Sequence, residues 1–92
     1  MDIRSVISPD GDGSNETFLI NCIQEFPGNK LFIYNRWGQL VFQAENYNND
    51  WNGVTQSGEQ LPEGAYYYIL EYKNAEGKEI QARGSITLLR EE

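Results

Sequence analysis

Apolar and polar side chains alternate at every second residue over much of this chain, and this pattern most restricts its fold. The clearest predicted strand is 65–72, and a second long strand is predicted over 78–89. Alternation is typical of strands with one buried face, whereas a helix needs apolar residues three and four apart. Further strands are predicted at 5–7, 18–22, 31–34 and 39–43. Because turn residues separate the strands and no crossover helix is predicted, we expect an antiparallel β-sandwich of about seven strands.

The start of the clearest strand carries a second indication of the fold. Gly64 lies two residues before Tyr66. This arrangement is typical of the tyrosine corner of immunoglobulin-like sandwiches, in which the tyrosine hydroxyl group donates a hydrogen bond to nearby backbone. The predicted fold class is therefore all-β, an immunoglobulin-like antiparallel β-sandwich, and Tyr66 is expected to stabilise it.

Length and charge exclude several classes of function. The chain has 92 residues, enough for one domain with a modest core, and we interpret 1–92 as a single domain excised from a larger protein. Its formal net charge is −7. Because nucleic acids and anionic membranes attract basic surfaces, we expect this chain to bind neither. No apolar run of about 20 residues is present, so we expect no membrane insertion. The isolated domain is expected to be a monomer.

Catalysis is not indicated by the residue types that the chain contains. There is no histidine, which is the commonest general base and a common metal ligand. The single thiol, Cys22, lies in an alternating apolar pattern without a base, so we expect it to pack as a small hydrophobic side chain. The chain is therefore interpreted as a protein that is not an enzyme.

An acidic loop near the start of the chain is the strongest candidate for a metal site. Oxygen ligands at every second position of a glycine-bent backbone suit Ca²⁺. The candidate ligands are Asp10, Asp12, Ser14, Asn15 and Glu16. An EF-hand is rejected, because glycine is missing from the sixth position of the loop and glutamate from the twelfth. We expect a structural calcium turn; the alternative is an acidic turn whose Asp and Asn side chains bond their own backbone.

Two further segments are candidates for binding. Arg36 and Trp37, in the turn of a predicted hairpin, are of the residue types most enriched in binding hot spots, so they are the candidate partner-binding residues. The alternative is that the guanidinium group stacks on the indole within the hairpin. The loop 49–53 is able to add a ligand to the cation or to present Trp51 to a partner. A capped turn with Trp51 packed into the core is the favoured interpretation.

Four motifs occur in the order in which a known family has them. They are 9–18 (PDGDGSNETF), 31–38 (LFIYNRWG), 51–53 (WNG) and 61–68 (LPEGAYYY), followed by the strand 84–90 (GSITLLR). Over residues 8–90 the chain resembles the gliding motility-associated C-terminal domain. This domain is also called the type B sorting domain of the type IX secretion system of Bacteroidetes.

The resemblance implies a role in secretion. Such domains lie at the C-terminus of large secreted or surface proteins and direct the cargo across the outer membrane after its export to the periplasm. The implied partners are the outer-membrane secretion machinery and proteins of the PorP/SprF type. The implied fold is an immunoglobulin-like β-sandwich, and the implied location is the cell surface or the medium.

The chain also departs from the family pattern. The family usually has Asp at the position of Asn52, often Asn at that of Asp10, and Asp at that of Glu16. If the two loops share one cation, these changes redistribute the charge around it rather than remove it. The alternative function is a cell-surface adhesion or carbohydrate-binding module of the same fold, which needs an exposed aromatic platform. The candidates for such a platform are Trp37, Tyr47 and Trp51.

Overall fold

The computed structural model describes residues 3–9 and 16–90, and this part of the chain is all-β, as predicted. Its strands are β1 (Val6–Ile7), β2 (Lys30–Tyr34), β3 (Leu40–Glu45), β4 (Gly64–Lys73) and β5 (Glu79–Leu88); a short 3-10 helix spans Ile23–Glu25. They form one sheet in the order β1-β5-β4-β2-β3. The expected count of about seven strands is not confirmed, since the described residues form five.

The strand pairing is antiparallel except at one edge of the sheet. The pairs β2–β3 and β4–β5 are hairpins, and β2 also pairs antiparallel with β4. In contrast, β1 lies parallel to β5, with Val6 opposite Thr87. The expectation of antiparallel pairing is wrong at β1 because a tight turn imposes opposite directions only on consecutive strands, and these two are far apart in sequence.

One face of the sheet, here called the inner face, holds the buried side chains. The alternation in β4 places Tyr66, Tyr68 and Leu70 on this face, and Leu70 is completely buried. Neighbouring strands add Leu31, Ile33, Ile86, Leu88 and Ile7. The cross-strand register aligns these residues in rows, so residues two positions apart in each strand contribute to one continuous core.

Extended segments and loops cover the inner face in the part of the chain that the structure describes. Phe18, Ile20, Ile23, Tyr47 and Trp51 are all buried against it. The ring of Phe18 packs on Tyr68 with centroids 5.3 Å apart, and that of Trp51 packs edge-on against Tyr66 at 6.2 Å. The core therefore lies between one regular sheet and an irregular layer.

The strand predicted at 18–22 is not present as a regular strand. Its side chains alternate as expected, with Phe18 and Ile20 buried, but it forms only an isolated bridge between Ile20 and Ile3. The backbone N–H of Ile20 donates to the side-chain carbonyl of Asn49 at 2.9 Å, and that of Phe18 donates to the carbonyl of Trp51. Loop groups thus take the bonds that a neighbouring strand would have made.

The predicted packing of Cys22 is wrong, since its side chain is exposed. The chain turns at this residue, which has a φ of 66° and directly precedes the 3-10 helix Ile23–Glu25. The left-handed backbone interrupts the alternation, so the side chain no longer faces the core.

Tyr47 and Trp51 hold the covering layer together, and the interpretation of Trp51 as a core residue is confirmed. The Tyr47 hydroxyl group donates to the carbonyl of Phe18 at 2.6 Å and accepts the backbone N–H of Trp51 at 3.0 Å. The indole N–H of Trp51 donates to the carbonyl of Val54 at 2.7 Å. Both rings are buried, so two of the three candidates for an exposed aromatic platform are core residues.

The tyrosine corner predicted at Tyr66 is present as a hydrogen bond. The hydroxyl group of this residue donates to the carbonyl of Pro62, four residues earlier, at 2.7 Å. The bond joins the start of β4 to the preceding loop while the ring remains in the core.

Two glycines allow close approaches that a larger residue would prevent. A Cβ atom at Gly84 would lie 2.7 Å from the ring of Tyr68, its partner across the strands. Gly53 has a φ of 84°, and a Cβ atom there would lie 2.9 Å from Leu88. Arg90 donates to the carbonyls of Gly53 and Leu61 and thereby joins the end of the last strand to this loop.

Candidate partner-binding surface

The turn between β2 and β3 carries the predicted partner-binding pair. The side-chain carbonyl of Asn35 accepts the backbone N–H groups of Trp37 and Gln39, each at 3.0 Å. Gly38 has a φ of 81° and donates its N–H to the carbonyl of Asn35. These bonds lie within the turn itself, so they order the backbone without covering the side chains of Arg36 and Trp37.

Arg36 and Trp37 stack on each other and remain exposed. The guanidinium carbon of Arg36 lies 4.4 Å from the centre of the Trp37 ring. Trp37 is 71% exposed, the highest value among the large apolar side chains described. Partner binding and stacking within the hairpin are therefore compatible, because stacking limits the motion of the two side chains while solvent still reaches them.

The opposite side of the sheet, here called the outer face, carries aromatic and apolar side chains where polar ones are usual. One row across β2, β4 and β5 is Tyr34, Tyr67 and Ser85, and the next row is Phe32, Ile69 and Arg83. Tyr67 is 46% exposed, and Ile69 is half-buried. The outer face is therefore more apolar than a simple alternation of buried and polar residues would make it.

A shallow groove of about 630 Å³ crosses the outer face beside the hairpin turn. It is called the tyrosine groove here and is defined by Tyr34, Arg36, Tyr67, Ile69 and Arg83. Because Arg36 belongs both to the groove and to the stacked pair, the groove and the exposed indole form one continuous surface.

Four members of this surface were missed by sequence reasoning. Tyr34, Tyr67, Ile69 and Arg83 lie in strands that were correctly predicted, but only their strand position was considered. A signal was present, since Tyr67 and Ile69 occupy the solvent-facing positions of β4, where an exposed apolar patch indicates an interaction site.

The predicted metal ligands lie mostly outside the described residues. Asp10, Asp12, Ser14 and Asn15 belong to the segment 10–15, for which the structure gives no description. Glu16 is described and is half-buried. The segment that follows it is fixed to the loop around Trp51 by the backbone bond from Phe18.

In the ranges 3–9 and 16–90, none of the helical segments is both long enough and apolar enough to span a bilayer.

Comparison with known proteins identifies the family and supports the fold. Residues 1–88 match the model of the CHU_C type IX secretion signal domain. Among solved structures, CopC from Methylosinus trichosporium OB3b resembles the chain with a TM-score of 0.59 and 14% sequence identity. The match covers 100% of this chain and 93% of that structure, and at this identity it bears on the fold alone. None of the curated proteins compared with the chain matches it in sequence.

The family match covers nearly the whole chain, in agreement with the motifs at 9–18, 31–38 and 61–68. The members of this family are secretion signals rather than enzymes, and a secretion signal acts through contact with the secretion machinery. The chain therefore belongs to the CHU_C family of type IX secretion signal domains, and it directs the protein that carries it through the outer membrane to the cell surface or the medium.

Proposed function

We propose that the secretion machinery binds this domain in its folded state, at the hairpin turn formed by Arg36 and Trp37, and that the binding partner is an outer-membrane protein of the PorP/SprF type. The observation that supports this is the exposure of Trp37, which is 71% accessible on a turn ordered by Asn35. An exposed indole on an ordered backbone loses little conformational entropy on binding, and Trp and Arg dominate binding hot spots.

We further propose that the domain acts as a single non-catalytic unit at the C-terminus of a larger secreted protein. Its fold in this proposal is an immunoglobulin-like sandwich with an irregular second layer. The tyrosine corner at Tyr66 and the likeness to CopC support this fold. The lack of histidine supports a role without acid–base catalysis.

We also propose that the acidic loop binds Ca²⁺ as a structural ion, through Asp10, Asp12, Ser14, Asn15 and Glu16. The oxygen-bearing residue types and the glycines of the sequence support it. In this role the ion stabilises the folded state that the machinery binds. It takes no part in a reaction.

A secretion assay tests the function. The domain is fused to the C-terminus of a reporter protein that is exported to the periplasm of a host with a type IX secretion system. We expect the wild-type fusion to reach the medium or the cell surface and the Trp37→Ala fusion to accumulate in the periplasm. Val6→Ala is the matched control, since Val6 is an exposed apolar residue on the opposite edge of the sheet.

Two outcomes contradict the proposal. If the wild-type fusion stays in the periplasm with its domain intact, the sorting function of this chain is wrong. If Trp37→Ala is secreted as well as Val6→Ala, the hairpin turn is not the bound element. Glycan-array binding by the wild-type domain that Trp37→Ala abolishes would support the alternative of a carbohydrate-binding module.

A further inference from the structure

The charges of the tyrosine groove differ from those of the rest of the chain. Arg36 and Arg83 both line the groove, and no carboxylate is present among its described lining residues. The chain as a whole has a net charge of −7. The groove is therefore a local cationic patch on an acidic protein.

The two lysines in the described strands lie opposite carboxylates, whereas Arg83 does not. Lys30 is aligned with Glu45 on one side and with Glu71 on the other. Lys73 is aligned with Glu79. Cross-strand neighbours of opposite charge compensate each other, so these lysines contribute little net positive charge to the surface.

Arg83, in contrast, lies opposite a neutral residue, since its partner across the strands is Ile69. Its Nε and Nη2 atoms both donate to the side-chain oxygen of Gln81, at 2.9 and 2.6 Å. The side-chain amide of Gln81 in turn donates to the carboxylate of Glu71 at 3.2 Å, so the amide is held between Arg83 and Glu71. The guanidinium group is thus ordered by an amide, and no ion pair to a described carboxylate neutralises it.

The floor of the groove determines which anionic partner suits it. Tyr34 and Tyr67 lie side by side in one row, and Ile69 lies in the next. Such a surface favours apolar and aromatic side chains, while guanidinium groups at its rim bind carboxylates through paired hydrogen bonds. A protein segment with alternating acidic and apolar residues meets both requirements.

We propose, on the basis of the secretion function given above, that the tyrosine groove binds an acidic peptide segment of the secretion machinery. Carboxylates of this segment pair with Arg36 and Arg83, and its apolar side chains pack on Tyr67. The negative charge of the remaining surface repels an acidic partner elsewhere, so the patch also determines the orientation in which the partner docks.

A direct binding measurement tests this inference. The probe is a synthetic peptide of eight residues in which Glu alternates with Leu and Tyr, acetylated and amidated at its ends, added to the isotope-labelled domain of 92 residues. By NMR we expect chemical-shift changes at Tyr67, Ile69 and Arg83. We expect Arg83→Gln and Arg36→Gln each to weaken binding about tenfold.

Lys78→Gln is the matched control, because it removes the same charge from the turn between β4 and β5, away from the groove. We expect it to leave the dissociation constant within about twofold of wild type. Tyr67→Ser tests the apolar floor, and we expect it to weaken binding of the peptide but not of dextran sulfate, a polyanion without apolar groups.

Several results would overturn the inference. These are chemical-shift changes confined to residues outside the groove, equal losses in Arg83→Gln and Lys78→Gln, or no binding of the peptide. Tighter binding of dextran sulfate that depends on Arg36 and Arg83 would assign the groove to an anionic glycan instead.

The secretion assay separates this inference from the proposed function. If the wild-type fusion is secreted and Arg83→Gln is secreted equally well, the groove inference fails and the sorting function stands. If even the wild-type fusion is retained, the sorting function fails, whatever the peptide does in solution.

Discussion

Two tyrosine hydroxyl groups join segments of this domain that no strand pairing joins. The hydroxyl group of Tyr47 bridges Phe18 and Trp51, and that of Tyr66 bonds to Pro62. Within the described residues, every buried side-chain nitrogen or oxygen atom has a hydrogen-bond partner. At the scale of single residues, the core therefore depends on polar atoms as well as on apolar area, because an unpaired buried group is costly.

Tyr66→Phe tests the tyrosine corner. The variant keeps the ring but leaves the carbonyl of Pro62 without its donor, so we expect a loss of about 1–3 kcal/mol in the free energy of unfolding. Urea denaturation at neutral pH measures this difference. Tyr67→Phe is the control, since the side chain of Tyr67 is exposed and its hydroxyl group lies outside the core. Equal stability of the two variants contradicts the structural role of Tyr66.

Tyr47→Phe tests the pH dependence of stability. Burial raises the pKa of Tyr47 above its ordinary value; the hydrogen bond from Trp51 opposes part of this increase, and the charge of Asp50 adds a smaller increase. The folded state therefore favours the neutral phenol. Its contribution is fully present below about pH 10, the pKa of tyrosine in the unfolded chain, and is lost as the pH rises above that value.

We expect wild-type stability to fall between about pH 10 and pH 12, and Tyr47→Phe to fall less steeply over the same range. Denaturation curves at a series of pH values measure both slopes. Burial also raises the pKa of Tyr66 and Tyr68, so the stability of Tyr47→Phe should still fall to some extent over this pH range. Parallel curves for the variant and wild type would contradict this assignment to Tyr47.

At the scale of elements, the long β4–β5 hairpin organises both faces of the sheet. Its strands run from Gly64 to Lys73 and from Glu79 to Leu88, and its central part presents the core on one face and the tyrosine groove on the other. The two strands make a close side-chain approach at Gly84, because the ring of Tyr68 packs directly against the backbone of this glycine. A glycine in a strand commonly marks such a close approach.

Gly84→Ala tests the packing within this hairpin. The new methyl group would lie 2.7 Å from the Tyr68 ring, so the ring must move, and we expect a loss of about 1–3 kcal/mol in stability. Ser85→Ala, on the outer face, is the control. The cost of Gly84→Ala should become smaller in a Tyr68→Leu background, where the ring is absent. An unchanged cost in that background would show that the clash is not the cause.

At the scale of the whole molecule, one sheet is closed by an irregular layer whose beginning follows the acidic loop. Residues 16–20 are tied to the loop around Trp51, and Arg90 ties the end of β5 to Gly53. Within the described residues, the stability of the covering layer therefore depends on loops rather than on a second sheet. An ion bound just before Glu16 is expected to act on the fold as a whole.

Calcium should raise the melting temperature of the domain. With free Ca²⁺ at about 10 to 100 times its dissociation constant, binding to the folded state adds about 1–3 kcal/mol. Thermal unfolding in excess calcium and in chelator measures the difference. Asp10→Asn combined with Asp12→Asn should abolish the increase, and magnesium at equal ionic strength is the control. Identical melting curves with calcium and with chelator contradict a calcium site.

Much of this protein follows from local sequence. The strand pattern predicted β4 and β5, and the glycine and asparagine of 35–38 predicted the β2–β3 turn. These features are local, since strand periodicity and turn conformation depend on residues a few positions apart. The ordered motifs also identified the secretion signal family.

Only the tertiary structure decided the features that depend on distant residues. Asn49 takes the N–H of Ile20 from 29 residues away, which replaces a predicted strand with a single bridge. β1 joins the last strand in parallel, and Arg36 and Arg83 meet in one groove. The sequence alone determined where the long strands lie and the family to which the chain belongs. The fold decided which segments meet, because partners distant in sequence leave no local periodic signal.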